Sequence, residues 1–146
     1  MKGIYYISKI IKKSKIGDAA VLKEIINIFK KEGIKTINST FFTPELNFSR
    51  GNYTRCKPDT IDKRDIKNAI KFLDKSKAYS YIQAAVGRNN TVILEKQKGT
   101  KDMLENMKKN KNKKNGVLVK CPKKKQDKRI DLPTVGLYTL KQCKSA

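Results

Sequence analysis

Apolar residues recur at helical spacing in the first third of the chain and predict two helices followed by a strand. Residues 4–16 combine isoleucines at this spacing with lysines between them, which is typical of a basic amphipathic helix that either packs on a core or lies on a membrane surface. Gly17 and Asp18 break the chain and begin a second helix, which Gly33 ends. The stretch Ile34–Asn38 predicts a short strand, so this part has the helix-to-strand order of an α/β unit.

A turn-rich connector separates this part from the rest of the chain. Residues 41–58 contain Pro44, Gly51 and Pro58, and residues of these types interrupt helices and strands. The connector is therefore the best candidate for a domain boundary.

Helices and short strands alternate beyond the connector. A third helix is predicted from Thr60 or Asp62 to about Ser76, and it is followed by a β-hairpin. The arms of this hairpin are residues 81–86 and 91–95, which flank Gly87-Arg88-Asn89-Asn90. The remaining predictions are a helix capped by Thr100, a strand over residues 117–120 and a last helix from Gly136 or Leu137. The predicted fold class is α/β.

The composition excludes several kinds of chemistry. The 146-residue chain has no His, so a Ser-His-Asp triad and a His-ligated zinc site are both ruled out. Cys56, Cys121 and Cys143 form no CxxC pair, and scattered thiols of this kind are typical of a reduced, cytosolic protein. The lysine-interrupted start predicts no signal peptide, and no stretch approaches the roughly 20 apolar residues that span a bilayer.

The charge is strongly positive and unevenly placed. The formal charge is +22, and all but five of the 35 basic residues are lysine, a bias that AT-rich coding also produces. Residues 106–129 hold ten lysines and Arg129 against a single acid, Asp127. This window is either a solvated basic loop, which is the favoured interpretation, or an attractor for a phosphate-bearing ligand. Because nucleic-acid readers usually rely on arginine, no specific nucleic acid is expected.

The densest group of reactive side chains lies between the last predicted strand and the last helix. Residues 126–136 bring together two carboxylates, Asp127 and Asp131, with Arg129 between them. Loops at this position often carry the sites of α/β folds, and Mg²⁺ binds carboxylate oxygens. From spacing alone a plainer interpretation is favoured, in which Asp131 shapes the turn before Pro133 and Asp127 neutralises nearby lysines.

The same loop carries a resemblance to a known family. The segments Gly116–Lys120 (GVLVK) and Gln126–Gly136 (QDKRIDLPTVG), with Thr139, resemble the closing pattern gVLVK…QDxRxDLPTIGxxT of LpxI, the UDP-2,3-diacylglucosamine pyrophosphatase family. Further similar segments follow the family's order along nearly the whole chain: IGD at 16–18 with Leu22, FTPEL at 42–46, QAAV at 83–86, VILE at 92–95 and the Gly99-Thr100 of an EGTDAM box. Lys98 and Lys101 stand where that box has acidic residues.

The resemblance implies both an architecture and an activity. It implies an LpxI-like C-terminal α/β domain at 59–146, incomplete at its end, after a connector at 46–58 and the tail of an N-terminal Rossmann-like domain at 1–45. It also implies hydrolysis of UDP-2,3-diacylglucosamine to lipid X and UMP in lipid A biosynthesis, with a divalent metal, here Mg²⁺.

The resemblance further implies roles for individual residues. Asp127 and Asp131 are expected to be catalytic and to hold the metal. The residues expected to bind substrate or line its site are Gln83, Glu95, Thr100, Lys120, Gln126, Arg129 and Thr134. The expected partner is the UDP-diacylglucosamine lipid.

A second hypothesis is a basic RNA- or phosphate-binding accessory protein without catalysis. RNA readers place aromatic residues beside Lys and Arg, but residues 80–136 contain only Tyr81, which favours the enzyme. The expected location is the cytoplasm, with peripheral contact at the inner membrane left open. The absence of the family's first and last strands predicts unpaired sheet edges, and hence a homo-oligomer or a fragment lacking a domain.

Overall fold

The structure, a computed structural model, describes residues 2–75, 82–109, 115–123 and 126–146. The chain divides into two units. The first unit comprises Met1–Gly51 and Lys125–Leu132, and the second comprises Asn52–Lys124 and Pro133–Ala146. Parts of the sequence predictions lie outside the described residues, namely Ser76, Tyr81 and residues 110–114 and 124–125 of the basic window.

A three-stranded antiparallel sheet forms the centre of the second unit. Strand β1 (Ala84–Arg88) lies between β2 (Thr91–Leu94) and β3 (Val117–Lys120). Val86 of β1 pairs with Ile93 on one side and with Leu118 on the other. Because β1 is paired along both edges and covered on both faces, all five of its residues are buried.

Helices cover both faces of this sheet. Successive side chains of a strand point to opposite faces, so Ala84 and Val86 pack with α4 (Gly99–Lys108) while Ala85 packs with α3 (Thr60–Lys75). The last helix, α5 (Leu137–Ser145), lies against α4. Helices with a small antiparallel sheet confirm the predicted mixed α/β class.

The hairpin between β1 and β2 is tighter than predicted. Gly87 and Arg88 belong to β1, so the turn consists of Asn89 and Asn90 alone, with φ of 47° and 67°. Positive φ at both central residues is the geometry of a two-residue turn that Asn tolerates. The Asp65 carboxylate of α3 accepts hydrogen bonds from the N–H groups of Asn89 at 2.8 Å and Asn90 at 2.9 Å. The turn is thereby fixed to the helix beneath it.

The first unit contains two helices and two short 3₁₀ turns. Helix α1 (Lys2–Ser14) packs against α2 (Asp18–Lys31), and the 3₁₀ turns follow at Ser39–Phe41 and Pro44–Leu46. Gly33 ends α2 with φ of 78°, which agrees with its predicted role as a helix stop. None of the helices in the described ranges is long and apolar enough to cross a membrane.

Two local predictions are wrong. The segment Ile34–Asn38 is irregular and not a strand, because a strand requires a pairing partner and the described part of the first unit contains no other strand. Thr100 does not cap α4, which begins after Lys98 without a side-chain cap. Its hydroxyl donates instead to Glu95 Oε1 at 3.1 Å, so a tertiary contact replaces the predicted local one.

Candidate functional site

The loop after β3 forms one helical turn where the sequence predicted its chemical centre. The carbonyl oxygen of Asp127 accepts hydrogen bonds from the N–H of Ile130 at 3.2 Å and of Asp131 at 3.1 Å. In such a turn, residues four apart lie on the same side with Cβ atoms about 5–6 Å from each other. Asp127 and Asp131 therefore stand one backbone turn apart.

Arg129 binds the Asp127 carboxylate through a two-pronged ion pair. Arg129 Nε donates to Asp127 Oδ1 at 2.9 Å and Nη2 donates to Oδ2 at 2.6 Å, and the N–H of Arg129 also reaches Oδ1 at 3.0 Å. These contacts lower the pKa of the Asp127 carboxyl to about 2, so the group is ionised at neutral pH. A guanidinium has five N–H donors, so this pair leaves others free to face a phosphate.

The Asp131 carboxylate is available for a ligand. Its residue is half-buried, and its side chain makes no hydrogen bond or ion pair with any residue that the structure describes. Water can solvate a carboxylate that is partly exposed, and a ligand can replace that water. Gln126, at the start of the same loop, is 8% exposed.

A basic groove of about 400 Å³ lies beside Arg129 in the first unit. The end of α2 and the segment after it supply its polar lining, which is Asn27, Lys30, Lys35 and Thr36 together with Arg129. The Thr36 Oγ1 atom is buried and has no hydrogen-bond partner among the described residues. Three cations suit an anionic group, such as a phosphate.

The sequence does not single out the two lysines of this groove. Lys30 and Lys35 are separated from Arg129 by more than ninety residues, and nothing distinguishes them from the other lysines of the chain. Their only local signal is their position on either side of Gly33, the residue that turns the chain after α2.

Two predicted residues contact each other in the second unit. Lys120, at the end of β3, donates from Nζ to the carbonyl oxygen of Thr134 at 3.1 Å. Thr134 is exposed, and it contributes its main chain to this contact. This hydrogen bond connects the end of β3 with Thr134, shortly before α5.

Three more predicted residues meet at Glu95. Its Oε2 atom accepts hydrogen bonds from the N–H groups of Gln83 at 3.1 Å and Ala84 at 2.9 Å, and its Oε1 accepts one from the Thr100 hydroxyl at 3.1 Å. The carboxylate therefore connects the end of β2 with the starts of β1 and α4. These contacts stabilise the fold, while the predicted contact with substrate stays a prediction.

The nine predicted residues thus fall into two sets. Gln126, Asp127, Arg129 and Asp131 belong to the first unit, and Gln83, Glu95, Thr100, Lys120 and Thr134 belong to the second. Within the described ranges, no group of three or more His, Cys, Asp or Glu side chains is placed to hold a metal ion. The predicted metal ligands are Asp127 and Asp131, and Arg129 already binds both carboxylate oxygens of Asp127. The Mg²⁺ site therefore stays a prediction.

A match to a known protein family shows which family the chain belongs to. The profile of the LpxI C-terminal domain matches residues 49–146, about two thirds of the chain. The chain belongs to the LpxI family. The UDP-2,3-diacylglucosamine pyrophosphatase LpxI of Caulobacter vibrioides is 29% identical to it over 147 residues, which cover 95% of this chain and 52% of that protein. The chain therefore spans about half the length of this LpxI relative.

The family match confirms the resemblance inferred from the sequence motifs. All nine predicted site residues lie within the part that matches the LpxI C-terminal domain, whereas Lys30 and Lys35 precede it. The Rossmann-like origin of residues 1–45 stays a prediction, because the LpxI domain match begins at residue 49.

Proposed function

We propose that this chain hydrolyses the pyrophosphate of UDP-2,3-diacylglucosamine to lipid X and UMP, a reaction of lipid A biosynthesis. The observation that carries the proposal is the Asp131 carboxylate, which has no partner in the described structure and follows the Arg129-bound Asp127 by one turn. Both lie in the segment that resembles the closing LpxI pattern. The name of the Caulobacter relative, a pyrophosphatase for this substrate, supports the same reaction.

Charge neutralisation is the main demand of this chemistry. A pyrophosphate brings negative oxygens to the site, and its hydrolysis is accelerated mostly by positioning and by neutralising charge on those oxygens. Lys30, Lys35 and the remaining donors of Arg129 line one groove and would bind phosphate oxygens there.

The two carboxylates would then have different roles. Asp131 would orient the attacking water and accept its proton as the oxygen bonds to phosphorus and the bridging oxygen leaves. Asp127, fixed and ionised by Arg129, would hold the turn in place. Asp131 and Asp127 would also hold Mg²⁺, which supplies positive charge at the phosphate oxygens when bound. The predicted substrate contacts of Gln83, Glu95, Thr100, Lys120, Gln126 and Thr134 belong to this proposal.

The basic groove also favours a second function, a phosphate-binding accessory protein without catalysis. Such a protein would use Lys30, Lys35 and Arg129 to bind an anion but would have no need of Asp131. The two functions therefore differ in whether the bound substrate is cleaved.

Release of UMP tests the proposal. The chain is incubated with UDP-2,3-diacylglucosamine and Mg²⁺, and UMP is followed by chromatography in parallel with substrate binding by calorimetry. Hydrolysis predicts UMP release that stops when the metal is chelated. Binding without UMP release would instead support the accessory function and contradict hydrolysis.

A pair of matched double variants tests the groove. Lys30→Ala/Lys35→Ala removes the two groove lysines, and Lys63→Ala/Lys67→Ala removes two exposed lysines of α3, so both lose the same charge. Because hydrogen bonds between charged groups are strong, we expect the groove variant to raise KM about tenfold or more and the α3 variant to leave it unchanged. Equal effects would show that only the overall charge matters.

A further inference from the structure

Helix α1 carries an apolar stripe that is exposed to solvent. Ile4, Ile7 and Ile11 lie at positions i, i+3 and i+7, which share one face of a helix, and they are 77%, 58% and 56% exposed. Partly buried residues such as Ile10 belong instead to the side of α1 that packs on α2. The hydroxyl of Tyr6 also donates to Glu32, just after α2. The most apolar face of α1 is thus one that the described part of the chain does not cover.

Lysine residues border this stripe, and Glu24 of α2 lines a cavity together with Lys9, Lys12 and Lys13. Residues 2–16 contain five lysines and no acidic residue. Lys12 and Lys15 are exposed, and Lys9 Nζ lies 4.4 Å from the centre of the Tyr5 ring. Lysine can lay its aliphatic part along an apolar surface and extend its charge beyond it. Exposed isoleucines with a cationic border are typical of helices that lie in a membrane interface.

We propose that α1 docks on the surface of an anionic phospholipid bilayer. Ile4, Ile7 and Ile11 enter the boundary between headgroups and acyl chains, and Lys12 and Lys15 lie against lipid phosphates. This function is separate from the hydrolysis proposed above and does not depend on it.

Charge and size both favour a bilayer over a second copy of the chain as the occupant. A second copy that packed its α1 on the same stripe would bring four further helix lysines against the four already present, which is repulsive. Three isoleucine side chains also form a smaller surface than the roughly 800 Å² per partner that a stable protein interface buries. An anionic bilayer neutralises the lysines and needs only a narrow apolar stripe.

Helix α3 offers a matched control. It exposes Ile61 at 51% and Phe72 at 53%, fractions close to those of Ile7 and Ile11. Unlike α1, it contains three acidic residues among its basic ones. A nonspecific attraction of the +22 chain to anionic lipid would respond equally to changes in either helix.

Sedimentation with vesicles tests the proposal. Vesicles of pure phosphatidylcholine are compared with vesicles of equal parts phosphatidylcholine and phosphatidylglycerol at about 0.15 M salt, where screening extends over about 8 Å. The wild-type chain is expected to bind only the anionic vesicles. Ile7→Ser/Ile11→Ser and, separately, Lys12→Glu/Lys15→Glu are each expected to weaken binding about tenfold or more. The controls Ile61→Ser and Lys63→Glu/Lys67→Glu are expected to bind like the wild type.

A fluorescence readout separates docking from loss of fold. The chain has no Trp, so Ile7→Trp and Phe72→Trp each introduce a single indole. Docking predicts that anionic vesicles shift the emission of the α1 indole to shorter wavelength, that lipids brominated on their acyl chains quench it, and that the α3 indole does not respond. No binding, equal loss in the α3 controls, equal response of both indoles, or a dimer that Ile7→Ser dissociates would each overturn the proposal.

Discussion

Replacement of Glu95 should destabilise the protein in a graded way. The Glu95 carboxylate accepts three hydrogen bonds, from the N–H groups of Gln83 and Ala84 and from the Thr100 hydroxyl. Glu95→Ala removes all three and leaves the N–H of Ala84, a residue that is 0% exposed, without its acceptor. Glu95→Gln keeps one oxygen for the two N–H groups and an amide for the hydroxyl, and it loses only the charge.

The expected losses of stability follow from the number of hydrogen bonds that each variant removes. A hydrogen bond to a charged group contributes about 1.5–3 kcal/mol, and a buried donor without a partner costs about 1–3 kcal/mol. Allowing for relaxation and water, we expect Glu95→Ala to lower the free energy of unfolding by about 3–5 kcal/mol and Glu95→Gln by about 1–2 kcal/mol. The control is Glu105→Ala on α4, whose exposed pair with Lys101 at 3.9 Å contributes at most about 0.5 kcal/mol.

Urea unfolding followed by circular dichroism measures all three variants against the wild type. The expected order of destabilisation is Glu95→Ala, then Glu95→Gln, then Glu105→Ala. If Glu95→Ala unfolds at the wild-type urea concentration while KM for the nucleotide lipid rises, the carboxylate contacts substrate and its structural role is refuted.

Two further predictions concern backbone packing and pH. Gly87→Ala places a Cβ atom 2.4 Å from the carbonyl oxygen of Asp65 in α3, so we expect it to lower the free energy of unfolding by about 3 kcal/mol or more, measured by thermal unfolding. The control Gly3→Ala has nothing within 4 Å of its added atom and should not lower it. Equal melting temperatures of the two variants would contradict the close approach of α3 to β1. The Asp127 carboxyl should titrate at about 2 by carbon NMR and move up toward 3.8 in Arg129→Ala. The pKa of Asp127 is lower in the folded chain than in the unfolded chain, so its ion pair stabilises the folded chain above pH 3.8 and loses that contribution as pH falls through 2. An Asp127 pKa that Arg129→Ala leaves unchanged would disprove the pairing.

Local patterns predicted most helices and strands because their causes are local. The helical spacing after the connector predicted a start of α3 at Thr60 or Asp62, and the structure has it at Thr60. The segment Gly87–Asn90 between two apolar runs predicted the hairpin, although only Asn89 and Asn90 form its turn. The strand predicted at Ile34–Asn38 failed because pairing depends on a partner elsewhere in the chain. The Thr100 cap failed because a distant carboxylate, that of Glu95, bonds the hydroxyl instead.

The sequence predicted those residues of the candidate site that belong to the LpxI-like motif, and it did not predict the others. The sequence placed Asp127, Arg129 and Asp131 in one loop, but it could not show that Arg129 binds Asp127 and leaves Asp131 without a partner in the described structure. That choice depends on the turn that the backbone makes there. The groove lysines, Lys30 and Lys35, required the folded path of the chain after α2, which no residue spacing shows.

Helix α1 shows a different limit of sequence patterns. Its periodicity predicted an amphipathic helix, and the structure contains one at Lys2–Ser14. Periodicity does not say what covers the apolar face, because a buried helix and a membrane-surface helix share the same spacing. The proposal of a membrane-surface helix therefore rests on the exposure of Ile4, Ile7 and Ile11.

The most direct test of the proposed hydrolysis compares UMP release by the wild type, Asp131→Asn and Asp102→Asn. Asp102 lies on α4 and accepts a hydrogen bond from the Asn106 side chain at 3.1 Å, so its variant makes the same chemical change outside the proposed site. Because the Asp131 carboxylate has no partner in the described structure, its loss should change stability by less than about 0.5 kcal/mol. We expect Asp131→Asn to lower kcat at least about a hundredfold and Asp102→Asn to leave it unchanged. Wild-type turnover in Asp131→Asn, or no UMP release from the intact chain, would contradict the assignment.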